Sequence, residues 1–89
     1  MEADRLAPTA GRITNTFVVI PAFSNLHVRS SVNSSADGEI QYNRHDTANS
    51  SKYILEPGEA RSYGAEASVY ESVKLVAPAN CTIDYDYLT

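Results

Sequence analysis

The chain has no tryptophan and one cysteine, Cys81. A lone thiol rules out an internal disulfide, and nothing here requires an oxidising compartment. Basic residues are sparse: 7 Lys and Arg stand against 11 Asp and Glu, a formal net charge of −4. They are scattered, as at Lys52, Arg61 and Lys74, whereas a phosphate backbone asks for a basic patch. Nucleic acid is therefore not an expected partner. No stretch reaches the ~20 apolar residues of a membrane-crossing helix, and residues 1–10 lack the apolar segment of a signal peptide. The expectation is a soluble protein with no membrane partner. The four glycines fit neither a phosphate-binding loop nor a dinucleotide fingerprint. The two histidines are His27 and His45, and no nucleophile-elbow pattern surrounds any serine. Neither an enzyme nor a cofactor is expected.

What the sequence does have is alternation, cleanest over residues 72–87. Val73, Leu75 and Ala77 alternate with Ser72, Lys74 and Val76. After a break at Pro78-Ala79-Asn80, Cys81, Ile83, Tyr85 and Tyr87 alternate with Thr82, Asp84 and Asp86. A period of two places each set on one face of a sheet. The segment reads as a closing hairpin, with Cys81 a buried structural thiol. Asp84 and Asp86 point the same way and could share a cation, although a wet strand face is the ordinary meaning of such a pair.

The 89 residues suffice for one domain. Residues 1–12 hold only Leu6 as a large apolar group apart from Met1 and read as an N-terminal arm, leaving residues 13–89 as the domain. Residues 13–20 have strand composition. The run Phe17-Val18-Val19-Ile20 is apolar on both faces and is expected to lie beneath other elements, ending at Pro21. In residues 25–33, Leu26, Val28, Ser30 and Val32 share one face. Asp37-Gly38 suggests a hairpin reversal before a strand with Ile40 and Tyr42 inward. Residues 45–51 are a polar loop. Glu56-Pro57-Gly58-Glu59 fits a type II turn, with Gly58 supplying positive φ. Residues 64–71 read as a loop or one helical turn. The fold expected is all-β: a small antiparallel β-sandwich, jelly-roll or immunoglobulin-like, of about seven strands.

Six tyrosines occur. A large apolar face with a polar tip serves cores and interfaces alike. Tyr42 and Tyr85 suit the core, while Tyr53, Tyr63 and Tyr70 fall at strand ends or in loops and are candidate contact residues. Arg5, Leu6 and Arg12 are candidates on the arm.

Three segments carry a resemblance: Tyr53-Ile54-Leu55-Glu56-Pro57-Gly58-Glu59, Val69-Tyr70-Glu71-Ser72-Val73-Lys74-Leu75, and Ala77-Pro78-Ala79-Asn80-Cys81-Thr82-Ile83-Asp84-Tyr85. A Pro-Gly-Glu turn, a Val-led strand, an Ala-Pro turn and a final alternating strand resemble the small β-sandwich virion proteins of tailed bacteriophages, of the head decoration or cement type. The resemblance implies a non-enzymatic virion component, assembled in the host cytoplasm, that binds the outer capsid lattice and stabilises it by bridging subunits. Its partners would be the major capsid protein or other virion subunits, and it would be a homo-oligomer, with a trimer favoured. The alternative is a small ligand- or glycan-binding β module of a phage tail or fibre, using the loops at residues 43–51 and 64–71.

Overall fold

The computed structural model of the chain describes residues 9–21, 25–44, 51–64 and 70–88. Six strands run through them: β1 (Thr9–Pro21), β2 (Asn25–Ser30), β3 (Gly38–Arg44), β4 (Ser51–Leu55), β5 (Ala60–Tyr63) and β6 (Tyr70–Leu88). Every pairing is antiparallel. The 19-residue β6 is the spine. One of its edges pairs with β1 along nearly its whole length. Its other edge pairs with β3 over the first half and with β2 over the second. Because β4 extends β3 and β5 extends β2, the sheet has two halves, β1-β6-β3-β4 and β1-β6-β2-β5. It curls strongly into a half-barrel whose inner faces pack on each other.

The curl has a local cause. Thr14 pairs with Thr82 and Thr16 with Ala77, so Asn15 alone spans residues 78–81 of the partner strand. Asn15 and Asn80 adopt φ of 55° and 68°, a region that asparagine tolerates better than most residues. Pro78 falls inside this bulge, where its missing N–H breaks no β1 ladder bond. The loop after β2 braces the bend. Ser31 N–H donates to Thr82 O at 2.9 Å and Ser35 N–H to Asn80 O at 2.8 Å. Thr82 N–H donates to Ser34 Oγ at 3.0 Å. The expected closing hairpin is thus corrected. The alternation is real, but the two runs never pair with each other. Pro78-Ala79-Asn80 bends one strand instead of reversing the chain.

Register and burial together define the core. Val18, Leu75, Ile40 and Tyr53 form an inward row across the first half. Gly11, Tyr85, Val28 and Arg61 form one across the second. Ile20, Leu26, Ile40, Leu55, Val73, Leu75, Cys81 and Ile83 are fully enclosed, each large aliphatic contributing about 1.5–3 kcal/mol by burial. The positive φ at Asn15 also shifts the phase of β1: Ile13 faces inward before it, Val18 and Ile20 after it.

Several expectations change. The run at residues 17–20 is not covered on both sides, since Phe17 and Val19 are 56% and 52% exposed. Val32 is 68% exposed because β2 ends at Ser30. Asp37-Gly38 makes no hairpin: β2 and β3 lie in different halves, and Gly38 opens β3 where packing is tight. The turn at Glu56 is as expected, with Glu59 N–H donating to Glu56 O at 3.0 Å and Gly58 at φ 82°. It carries the chain between halves rather than closing a hairpin. Residues 9–12, expected in the arm, are part of β1 and pair with β6, and residues 1–8 lie outside the described residues. The described residues form six strands in one sheet folded on itself, where two separate sheets were expected. Of the expected polar loop at residues 45–51 and the expected loop or helical turn at residues 64–71, residues 45–50 and 65–69 lie outside the described residues, while Ser51 opens β4 and Tyr70 and Glu71 belong to β6.

Candidate functional site

The register gives the two outer faces different chemistry. On the first half, Phe17, Val76, Glu39 and Ile54 form one row, and Val19, Lys74, Gln41 and Lys52 the next. Phe17, Val19 and Ile54 are exposed. Lys74 Nζ sits 4.3 Å from the Phe17 ring centroid. Glu39 accepts from Gln41 at 2.9 Å and pairs with Lys52 at 3.5 Å. The Gln41 hydrogen bond holds the Glu39 carboxyl below its ordinary range. Alongside this face runs the outer edge of β1, which among the described residues pairs with β6 alone. Alternate residues therefore turn backbone N–H and C=O groups away from the sheet, which leaves a strand edge open to pairing.

The second half is polar. Ala60, Arg29, Asp84 and Arg12 form one outer row, and Ser62, His27, Asp86 and Ala10 the next. Together they line a shallow open depression of about 800 Å³. Arg12 Nε donates to Asp84 Oδ1 at 2.6 Å, which raises the arginine's pKa further. His27 Nδ1 lies 2.9 Å from Ser62 Oγ, and Asp86 is opposite His27 on the adjacent strand. A serine, a histidine and an aspartate thus share one row. A hydrolytic triad needs the imidazole to bridge acid and hydroxyl inside a site that excludes water. Here His27 and Ser62 are exposed on an open sheet face. Among the described residues no three His, Cys, Asp or Glu side chains group to hold a metal ion.

A third cluster ties the halves together. The Arg61 guanidinium lies 4.2 Å from the Tyr53 ring centroid and 5.8 Å from that of Tyr63. The Tyr42 and Tyr63 hydroxyls hydrogen-bond, and their rings meet edge-on at 5.9 Å. Tyr53 donates to Glu59, which also accepts from Glu56 N–H at 2.9 Å. That bond raises the Tyr53 pKa and lowers that of Glu59. Hydrogen bonding to Tyr63 raises that of Arg61.

The six candidate contact residues therefore scatter. Arg5 and Leu6 lie outside the described residues. Arg12 borders the polar depression. Tyr53 is half-buried in the seam, and Tyr63 is 5% exposed and belongs to the core, because β5 turns its ring inward beside Leu26. The Tyr70 backbone pairs with Arg44, and its side chain lies outside the description. Sequence reasoning missed Phe17 and Val19 as surface groups. It also missed the Ser62-His27-Asp86 row, which exists only through the pairing of β5 with β2 and of β2 with β6.

No protein-family model matches the chain, and no curated protein matches it. Among solved structures it is similar to a de novo designed double-stranded beta-helix determined in solution by NMR. The TM-score is 0.51 and the identity 12%, over 93% of this chain and 97% of that one. At that identity the likeness concerns the fold alone, and it agrees with the curled sheet described above.

Proposed function

We propose that this chain works by contact rather than by chemistry: a non-enzymatic structural subunit that binds other protein subunits. The observation that carries this reading is the open edge of β1 beside exposed Phe17 and Val19. Unpaired strand edges and exposed aromatics are what protein partners take up. The resemblance to head decoration proteins gives the reading its setting. The partner would be the outer capsid lattice of a tailed phage, with this protein bridging and stabilising adjacent subunits. The fold accords with that setting in being small, all-β and without a disulfide. Purified protein mixed with empty tailed-phage heads and sedimented tests it. Co-sedimentation at micromolar protein is the expected result, and protein left wholly in the supernatant counts against it.

A second reading is favoured by the polar depression. Arg29, His27 and Ser62 present donors around an open floor, as a glycan-binding module of a tail or fibre would. Binding on a glycan array that Arg29→Ala abolishes would favour it over the lattice reading.

A further inference from the structure

Resting on the contact reading above, we infer that β1 pairs with β1 of a second copy, antiparallel, about a two-fold axis at Val18. Such pairing would place the two first halves side by side and continue one sheet through both molecules. With equivalent faces on the same side, opposed residues must have numbers of even sum, because antiparallel partners point to the same face. Centring on Val18 sets Phe17 opposite the second copy's Val19, and Val18 opposite its counterpart. Thr16 then faces Ile20, and Asn15 faces Pro21.

This register matches chemistry on both faces. Outside, Val76 and Phe17 of one copy meet Val19 of the other, and the exchange repeats about the axis. Aromatic against β-branched is among the favourable cross-strand pairs. Inside, the row of Leu75 and half-buried Val18 runs on into the same row of the second copy, which completes the cover of Val18. The paired segment, residues 15–21, contains no charge, so no like charges oppose each other. Alternative registers are poorer: centring on Phe17 sets Val19 against Asn15, and centring on Val19 sets Phe17 against Pro21. The turn of the chain at Asn15 limits pairing to the first half, since residues 9–14 follow the other half of the sheet. An isologous contact of this kind closes at two copies. It therefore gives a dimer where the resemblance favoured a trimer, which would require β1 to join a different edge.

Sedimentation equilibrium of the whole chain tests the pairing. A mass rising to twice that of the chain is expected, with Phe17→Lys/Val19→Lys weakening association at least about tenfold. Both side chains are exposed, so the monomer fold should survive. The register has its own test. Phe17→Cys and Val19→Cys chains, mixed and mildly oxidised, should cross-link to each other faster than either does alone, because directly opposed positions come within disulfide reach. Buried Cys81 does not compete. A monomer at every concentration, or cross-linking as fast within either single-variant solution as in the mixture, would overturn the inference. The outcomes separate it from the reading it rests on. A monomer that still sediments with phage heads removes the dimer and leaves the contact role. A dimer that binds no head keeps the pairing and removes the lattice.

Discussion

Replacing Gly38 with alanine adds one methyl group inside the bend of the sheet. A Cβ there would lie 2.7 Å from Ile83 Cδ1, 3.2 Å from Val76 O and 3.3 Å from Cys81 Sγ. Gly38 is not among the positive-φ residues, so alanine suits its backbone and should gain ~0.4–1 kcal/mol by restricting the unfolded chain. Overpacking opposes this by ~1–3 kcal/mol. The Ile83 tip can shift, but the Val76 carbonyl is ladder backbone and cannot, so overpacking wins. The net loss should be about 1–2 kcal/mol, or roughly 4–16 °C in Tm for a domain of this size. Ile83→Val removes the clashing methyl and alone costs ~0.5–1.5 kcal/mol. In the double variant the two losses should not add: a favourable coupling on the order of 1 kcal/mol is expected. Urea unfolding of the four proteins measures the cycle. A Gly38→Ala protein as stable as the parent, or strict additivity, would refute the close packing at the bend.

Other consequences are open to the same kind of measurement. Ser34→Ala leaves Thr82 N–H without its acceptor and should cost ~1–2 kcal/mol in urea unfolding; no change would mean the loop does not brace the bend. Asn80→Gly relieves an asparagine held at φ 68° and should be neutral or slightly stabilising, whereas Asn80→Val should be clearly destabilising. Tyr53→Phe removes the bond to Glu59, whose folded pKa lies below its ordinary value while that of Tyr53 lies above. The Glu59 contribution is complete above the unfolded carboxylate pKa and fades as pH falls through the lower folded value. The Tyr53 contribution is complete below the unfolded tyrosine pKa and fades as pH rises through the higher folded one. The variant's stability should therefore depend less on pH below about 4.3 and above about 10. Thermal melts across pH that overlay the parent's in shape would contradict this.

Side-chain alternation was legible in the sequence because it is local. Val73, Leu75, Cys81 and Ile83 face inward as the period of two requires, and Gly58 takes the positive φ its turn demands. Partner choice was not legible, because pairing is decided between residues far apart in the chain. Pro78-Ala79-Asn80 and Asp37-Gly38 carry the composition of hairpin turns, yet each serves the bend. Nothing near them announces that Asn15, on another strand, changes phase in step with residues 78–81. The same blindness hid the surface. Four successive apolar residues at positions 17–20 look like a strand covered on both sides, and only the register, which sets Val18 and Ile20 on the inner face with Leu75 and Val73, shows Phe17 and Val19 facing outward. Tyr63 erred in the opposite direction: it lies at a strand end in sequence but turns inward against the core.

The open edge of β1 is most directly tested by amide hydrogen exchange at residues 16–20, followed by NMR as protein concentration is raised. In dilute solution alternate amides should be protected by β6 while those between them exchange freely, and the latter should slow as the concentration climbs. Uniform protection of all five amides in dilute solution would show the edge already covered, and an alternating pattern unchanged at any concentration would show that no second copy docks there.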